Sequence, residues 1–81
     1  MTQIRVYGTT WCADCERAKA FMDDHNIMYE WTNVEEEVEF VDVVLKINNG
    51  QKRVPTILFP DGSVMVEPSN SELAEKLSIE T

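Results

Sequence analysis

The sequence predicts an α/β domain of element order βαβαββα, and three observations carry that prediction. Short runs of β-branched and aromatic residues alternate with segments of helical periodicity. A Cys-x-x-Cys pair, Cys12-Ala13-Asp14-Cys15, falls where the first run gives way to the first helical segment. A Val54-Pro55 step opens the third run, and Pro60-Asp61-Gly62-Ser63 then turns the chain into a fourth, which reads as a hairpin.

Gln3 to Tyr7 reads as the first strand, ended by Gly8-Thr9-Thr10. Ala13 to His25 reads as a helix. Cys15, Ala18 and Met22 recur at helical spacing with Phe21 beside them, while Glu16, Arg17, Lys19 and Asp23 face outward. His25-Asn26 ends it, with a potential cation for the negative helix terminus and then a residue that tolerates the left-handed conformation. Ile27 to Thr32 is the second strand, which completes a βαβ unit with a right-handed crossover. Asn33 is predicted to cap a second helix running to Ile47, with Glu35, Glu36 and Glu37 at its positive end. Val38, Val41 and Leu45 form its stripe, widened by Phe40, Val44 and Ile47; its β-branched content makes it depend on burial. Asn48-Asn49-Gly50 stops it. Thr56 to Phe59 and Val64 to Glu67 are the two hairpin strands. Pro68-Ser69-Asn70-Ser71 caps a last helix through Leu77, with Leu73, Ala74 and Leu77 turned inward. No linker or repeat interrupts this order, so residues 1–81 read as one domain.

Composition narrows the function classes. Of 81 residues, 43% are hydrophobic and 27% charged, enough apolar material for a core and against disorder. A net charge of -8 disfavours nucleic acid and anionic membranes as partners. No apolar run approaches the roughly 18 residues of a membrane span, and Met1 leads directly into a strand-like segment. A soluble, cytoplasmic monomer is predicted.

Two cysteines and one histidine are too few for a structural zinc site, and no resident metal is predicted. The spacing of the cysteines is informative instead. Cys12 lies where the first helix should begin, so unpaired backbone N–H groups and the positive helix end favour its thiolate. Cys15 follows one turn later on the same face, within reach of a mixed disulfide formed at Cys12. Two buried cysteines acting as small apolar residues, or half of a metal site completed by another chain, are the alternatives; the strand–loop–CxxC–helix order favours redox chemistry. Asp14 is predicted to oppose a thiolate at Cys12 by like-charge repulsion, offset in part if Arg17 or Lys19 folds back toward it. The proline at Val54-Pro55 removes a ladder donor at a strand start, and on composition alone an ordinary trans bond at an edge is the commoner case. Trp31 reads as strand-face packing, His25 as a helix-end residue, and the glutamates at 35–37 and 39 as a solvated surface without a calcium-binding loop.

Val6-Tyr7-Gly8-Thr9-Thr10-Trp11-Cys12-Ala13-Asp14-Cys15, Val54-Pro55-Thr56 and Asp61-Gly62-Ser63 together resemble the glutaredoxin family, and within it the small bacterial mycoredoxin-like branch. The resemblance implies a thioredoxin-like fold: a four-stranded mixed sheet of order 2-1-3-4 flanked by three helices. It implies a dithiol oxidoreductase with Cys12 as nucleophile and Cys15 as resolving thiol. Trp11 matches the aromatic before the nucleophile, Val54-Pro55 a cis-proline loop that pairs with substrate backbone, and Lys52 a basic residue that holds a thiol's carboxylate. Asn70 and Ser71 fall at the helix start that receives the glutamyl end of glutathione. The chain departs from the pattern at Ala13-Asp14, where Pro-Tyr is typical, and at Pro68-Ser69, where Gly-Gly is usual. It departs again at Ser71, in place of an acid, and at Thr9, where a basic residue often precedes the motif. The implied substrates are disulfide-containing proteins or protein–thiol mixed disulfides. Glutathione or mycothiol is the implied low-molecular-weight co-substrate, nothing is tightly bound, and a thiol or flavoprotein reductase is the electron donor. An alternative class is a metal or iron–sulfur carrier that uses Cys12 with an external thiol across a dimer.

Overall fold

The computed structural model describes residues 3–78. Four strands, β1 (Ile4–Gly8), β2 (Tyr29–Asn33), β3 (Thr56–Leu58) and β4 (Val64–Val66), form one sheet in the order β2-β1-β3-β4. β1 and β2 are parallel, and β1 with β3 and β3 with β4 are antiparallel, which is the mixed sheet that the resemblance implies. Strand side chains alternate between faces. Ile4, Val6 and Ile57 point to one face, where α1 (Ala13–Asp24) adds Ala18, Phe21 and Met22 and α3 (Asn70–Lys76) adds Leu73 and Ala74. Tyr7 points to the other, against Val34 and Val44 of α2 (Val41–Ile47), with Phe40, Val54 and Leu58 packed around them. No helix among the described residues is long and apolar enough to cross a membrane.

The helix ends follow local chemistry. α1 closes with Asn26 at φ 56°, the Asn26 N–H on Asp23 O and the Ile27 N–H on Met22 O, the two bonds of a Schellman motif. The Ser69 side chain accepts the Glu72 N–H while Glu72 accepts the Ser69 N–H, so a reciprocal capping box starts α3. Asn49 and Gly50, both at positive φ, end α2 as predicted.

The second helix is shorter than the sequence suggests. Asn33 does not cap it: the residue stays in β2, opposite Gly8. Its side chain accepts the Glu35 N–H at 2.9 Å and its carbonyl takes the Glu36 and Glu37 N–H groups, which makes a turn of the acidic segment. A 3-10 turn at Val38–Phe40 precedes the seven residues of α2, so Glu35, Glu36 and Glu37 do not sit on a helix dipole. Like charges in succession and β-branched neighbours leave that stretch little reason to be helical.

Gly8 fixes how closely α1 and β2 approach the end of β1. A Cβ there would stand 2.6 Å from Cys15 Sγ and 2.7 Å from the Trp31 ring, about 1 Å inside ordinary contact. Gly8→Ala should therefore destabilise the fold by about 1–3 kcal/mol through overpacking. Urea unfolding would show it as a lowered midpoint with the slope retained; an unchanged midpoint would mean that Trp31 and Cys15 yield freely.

Candidate active site

Three connections converge at one end of the sheet: the loop from β1 to α1, the segment that enters β3, and the residues after β4. Together they form a cleft of about 400 Å³ lined by Trp11, Cys12, Ala13, Asp14, Lys52, Arg53, Val54 and Glu67.

Cys12 is the N-cap of α1. Its backbone is extended, and its sulfur accepts the Cys15 N–H at 3.1 Å, so the side chain that faces the cleft also satisfies a free donor of the helix start. Across the cleft its thiol points to the Val54 carbonyl at 3.7 Å. Both cysteines are free thiols but differ in access: Cys12 is 8% exposed, Cys15 0%. Burial pushes the Cys15 thiol up to about 12, and its hydrogen bond with the Cys12 sulfur adds to this; the Thr9 backbone and the charge of Lys19 oppose it. Cys15 is thus a protonated thiol, held one turn behind a sulfur that reaches the cleft.

The Val54–Pro55 bond is cis, as the resemblance implies and composition alone does not. Pro55 is buried, and its carbonyl accepts the Glu67 N–H at 2.9 Å, which ties the entry to β3 to the residue after β4. Trp11 is 70% exposed at the mouth, with its indole N–H on Glu35 at 2.7 Å. Lys52 also lines the cleft, on the segment that enters β3.

Six of the eight residues singled out in the sequence lie at this end: Trp11, Cys12, Lys52 and Val54 line the cleft, with Cys15 and Pro55 directly behind. Asn70 and Ser71 do not line it. They sit in the first turn of α3, and Asn70 Oδ1 accepts Arg17 Nη1 at 3.1 Å. Arg53 and Glu67, paired at 3.6 Å, are cleft residues that the sequence does not single out. The run Gln51-Lys52-Arg53 next to Val54-Pro55 is the available signal for Arg53. Glu67 becomes visible only through the hairpin register, which sets Val66 opposite Thr56. No local pattern signals that Glu35 reaches Trp11, 24 residues away.

Comparison with known proteins agrees with this geometry. The glutaredoxin family model matches residues 4–64. A glutaredoxin candidate of Mycobacterium tuberculosis is 34% identical over 74 residues, covering 91% of this chain and 88% of its own. Mycoredoxin 1 of Corynebacterium glutamicum is 27% identical over 77 residues, 95% of each chain. Among solved structures, a threonine-to-alanine mutant of a thioredoxin-like protein superposes with a TM-score of 0.85 at 28% identity, covering 99% of this chain and 100% of that one. The glutaredoxin of Methanosarcina mazei, at 24% identity and a TM-score of 0.78, covers 96% of this chain and 80% of its own and shares the fold. With Cys12 and Cys15 one helical turn apart at the mouth of a cleft in this fold, the chain belongs to the glutaredoxin family of thiol oxidoreductases.

Proposed function

We propose that this protein is a dithiol oxidoreductase that reduces protein disulfides or mixed disulfides between proteins and a low-molecular-weight thiol such as glutathione or mycothiol. One observation carries this: the Cys12 sulfur opens to the cleft at the start of α1, with the Cys15 N–H on it and the Cys15 thiol buried behind. The N–H donor and the helix start both favour negative charge on that sulfur.

The reaction takes two exchanges. The Cys12 thiolate attacks one sulfur of the substrate disulfide; a Cys12–substrate disulfide forms and the other substrate sulfur leaves as a thiolate. Cys15 then gives up its proton, to that leaving thiolate or to solvent, and attacks Cys12 Sγ. The second substrate thiolate leaves and the Cys12–Cys15 disulfide closes. Two electrons have passed to the substrate, and an external thiol or a flavoprotein reductase returns two electrons and one proton, which restores the Cys12 thiolate and the Cys15 thiol. Trp11 and the Val54 backbone offer an apolar wall and a strand edge to the incoming chain. A reducing compartment such as the cytoplasm suits this cycle.

Lys52 has a role in the small-thiol reaction. Among the described residues it is the cleft charge without an ion pair, since Arg53 bonds Glu67 and Asp14 bonds Arg17. An anionic group on the thiol therefore meets a cation there.

The cysteines divide the cycle between them. Cys12→Ser should abolish turnover. Cys15→Ser should accept a thiol at Cys12 and stop there, so that mass spectrometry finds the adduct; a Cys15→Ser protein that turns over a dithiol-dependent protein substrate at the parent rate would overturn the assignment. Alkylation of the native parent at neutral pH should modify Cys12, with Cys15 reached only on unfolding or in strongly alkaline solution, because its thiol stays protonated up to about pH 12. Lys52→Gln should raise KM for an anionic disulfide by up to about fivefold, the range of an exposed ion pair, with kcat and the KM for an uncharged disulfide unchanged. Equal losses on both disulfides would mean that Lys52 does not read charge.

A further inference from the structure

The guanidinium of Arg17 is shared among acceptors from two distant parts of the chain. Nη2 donates to Asp14 Oδ1 at 3.2 Å, and Nη1 donates to the Pro68 carbonyl and to Asn70 Oδ1, each at 3.1 Å. An exposed ion pair one turn apart on a helix contributes only about 0.2–0.5 kcal/mol and leaves both side chains free to sample other rotamers. Arg17 differs because its planar fork is anchored through a second nitrogen at the start of α3, so the direction of the group is fixed independently of Asp14. Asp14 in turn is part of the cleft wall and stands two residues from Cys12.

We propose that Arg17, held by Pro68 and Asn70, is a positioning residue that keeps the Asp14 carboxylate neutralised beside Cys12 and thereby sets the redox poise of the Cys12–Cys15 couple. This rests on the reading of Cys12 as the nucleophile. Reduction of the couple takes two electrons and one proton from the donor when it leaves a Cys12 thiolate and a Cys15 thiol. The new negative sulfur then shares the cleft with Asp14, two residues away. A bare carboxylate there repels it, disfavours the reduced form and moves the couple toward the disulfide. With Arg17 on it, Asp14 keeps its favourable place in the first turn of α1 without that effect. Lys19 is engaged elsewhere, with its ammonium on Glu16 at 3.4 Å and over the Trp31 ring at 3.8 Å. Asn70 acts on the site through Arg17.

Four full-length chains test this: the parent, Arg17→Gln, Asp14→Asn and the double variant. Each is equilibrated against reduced and oxidised dithiothreitol, and the rate of iodoacetamide labelling at Cys12 is read in parallel. Arg17→Gln should shift the equilibrium toward the protein disulfide by about three- to tenfold, about 15–30 mV, and slow labelling. Asp14→Asn alone should change either quantity by less than about twofold, and the double variant should return to the parent within the same margin, since it removes both charges of a compensated pair. A shift that persists in the double variant would show that Arg17 acts on the sulfur directly and would overturn the proposal. So would an Arg17→Gln chain indistinguishable from the parent, or a large shift in Asp14→Asn alone. If Arg17→Gln does not fold, Asn70→Ala, which frees one anchor of the guanidinium, should give a smaller shift of the same sign that Asp14→Asn again cancels; no shift there would count against the anchor. Cys15 labelled before Cys12 in the parent would instead defeat the nucleophile assignment, so the two failures are distinguishable.

Discussion

A sulfur that is to react has to be left open to its substrate, yet a helix that begins at the same residue has N–H groups that need an acceptor. Cys12 meets both demands with one atom. Its sulfur takes the Cys15 N–H at 3.1 Å on the helix side and faces the cleft on the other. The arrangement fixes the second cysteine as well. A residue whose N–H reaches the capping sulfur is three positions on, and here the inward stripe of α1, with Ala18 and Met22, buries that residue's side chain completely. A sulfur that faces the cleft and a buried, protonated thiol thus come from one capped helix start. The gap that α1 needs to lie so close to the sheet is the missing side chain of Gly8.

The sheet order then determines what stands opposite the sulfur. β1 is central, with β2 on one side and β3 on the other, so the loop leaving β1 is flanked by the acidic turn that follows β2 and by the segment that enters β3. The first flank supplies Glu35 to the Trp11 indole; the second supplies Val54, whose carbonyl lies 3.7 Å from the Cys12 sulfur. β4 adds Glu67 through the Pro55 carbonyl, and α3 joins α1 through Arg17. The walls of the cleft are therefore joined to elements that pack into the two cores, α1 and β4 into one and the segment at Val54 into the other.

Much of this is legible from short-range chemistry. The Cys-x-x-Cys pair at a strand-to-helix junction, Asn26 and Gly50 as helix stops, the Pro60–Ser63 turn and Ser69 with Glu72 all act over a few residues, and sequence shows such devices directly. The cis state of Val54–Pro55 is legible only through family resemblance. Sequence misleads where a local signal has two physical uses. Asn33 is as good a turn residue as a helix cap, and its continued pairing with Gly8 in the parallel ladder decides for the turn. Asn70 and Ser71 are singled out only by the family resemblance, and the bond from Arg17 to Asn70 Oδ1 has no local signal in the sequence. Contacts between Trp11 and Glu35, or Arg17 and Pro68, join residues 24 and 51 positions apart, and only the assembled fold brings them together.

Charge is the remaining constraint on what reaches Cys12. At a net charge of -8 the chain as a whole repels anions, but at physiological salt that field decays over about 8 Å, so a ligand at the mouth responds to the cleft itself. There the charges are largely compensated in pairs, Asp14 with Arg17 and Arg53 with Glu67, and Lys52 stands outside both pairs. On the Trp11 side the neighbouring surface is the acidic turn at Glu35, Glu36 and Glu37. The cleft is therefore polarised across its width: one cation on the wall that enters β3, and carboxylates beyond the indole. If the chain acts on disulfides as proposed, a substrate with an anion near its disulfide would be favoured in one orientation and opposed in the reverse one, because turning it over would move its charge from Lys52 toward the glutamates.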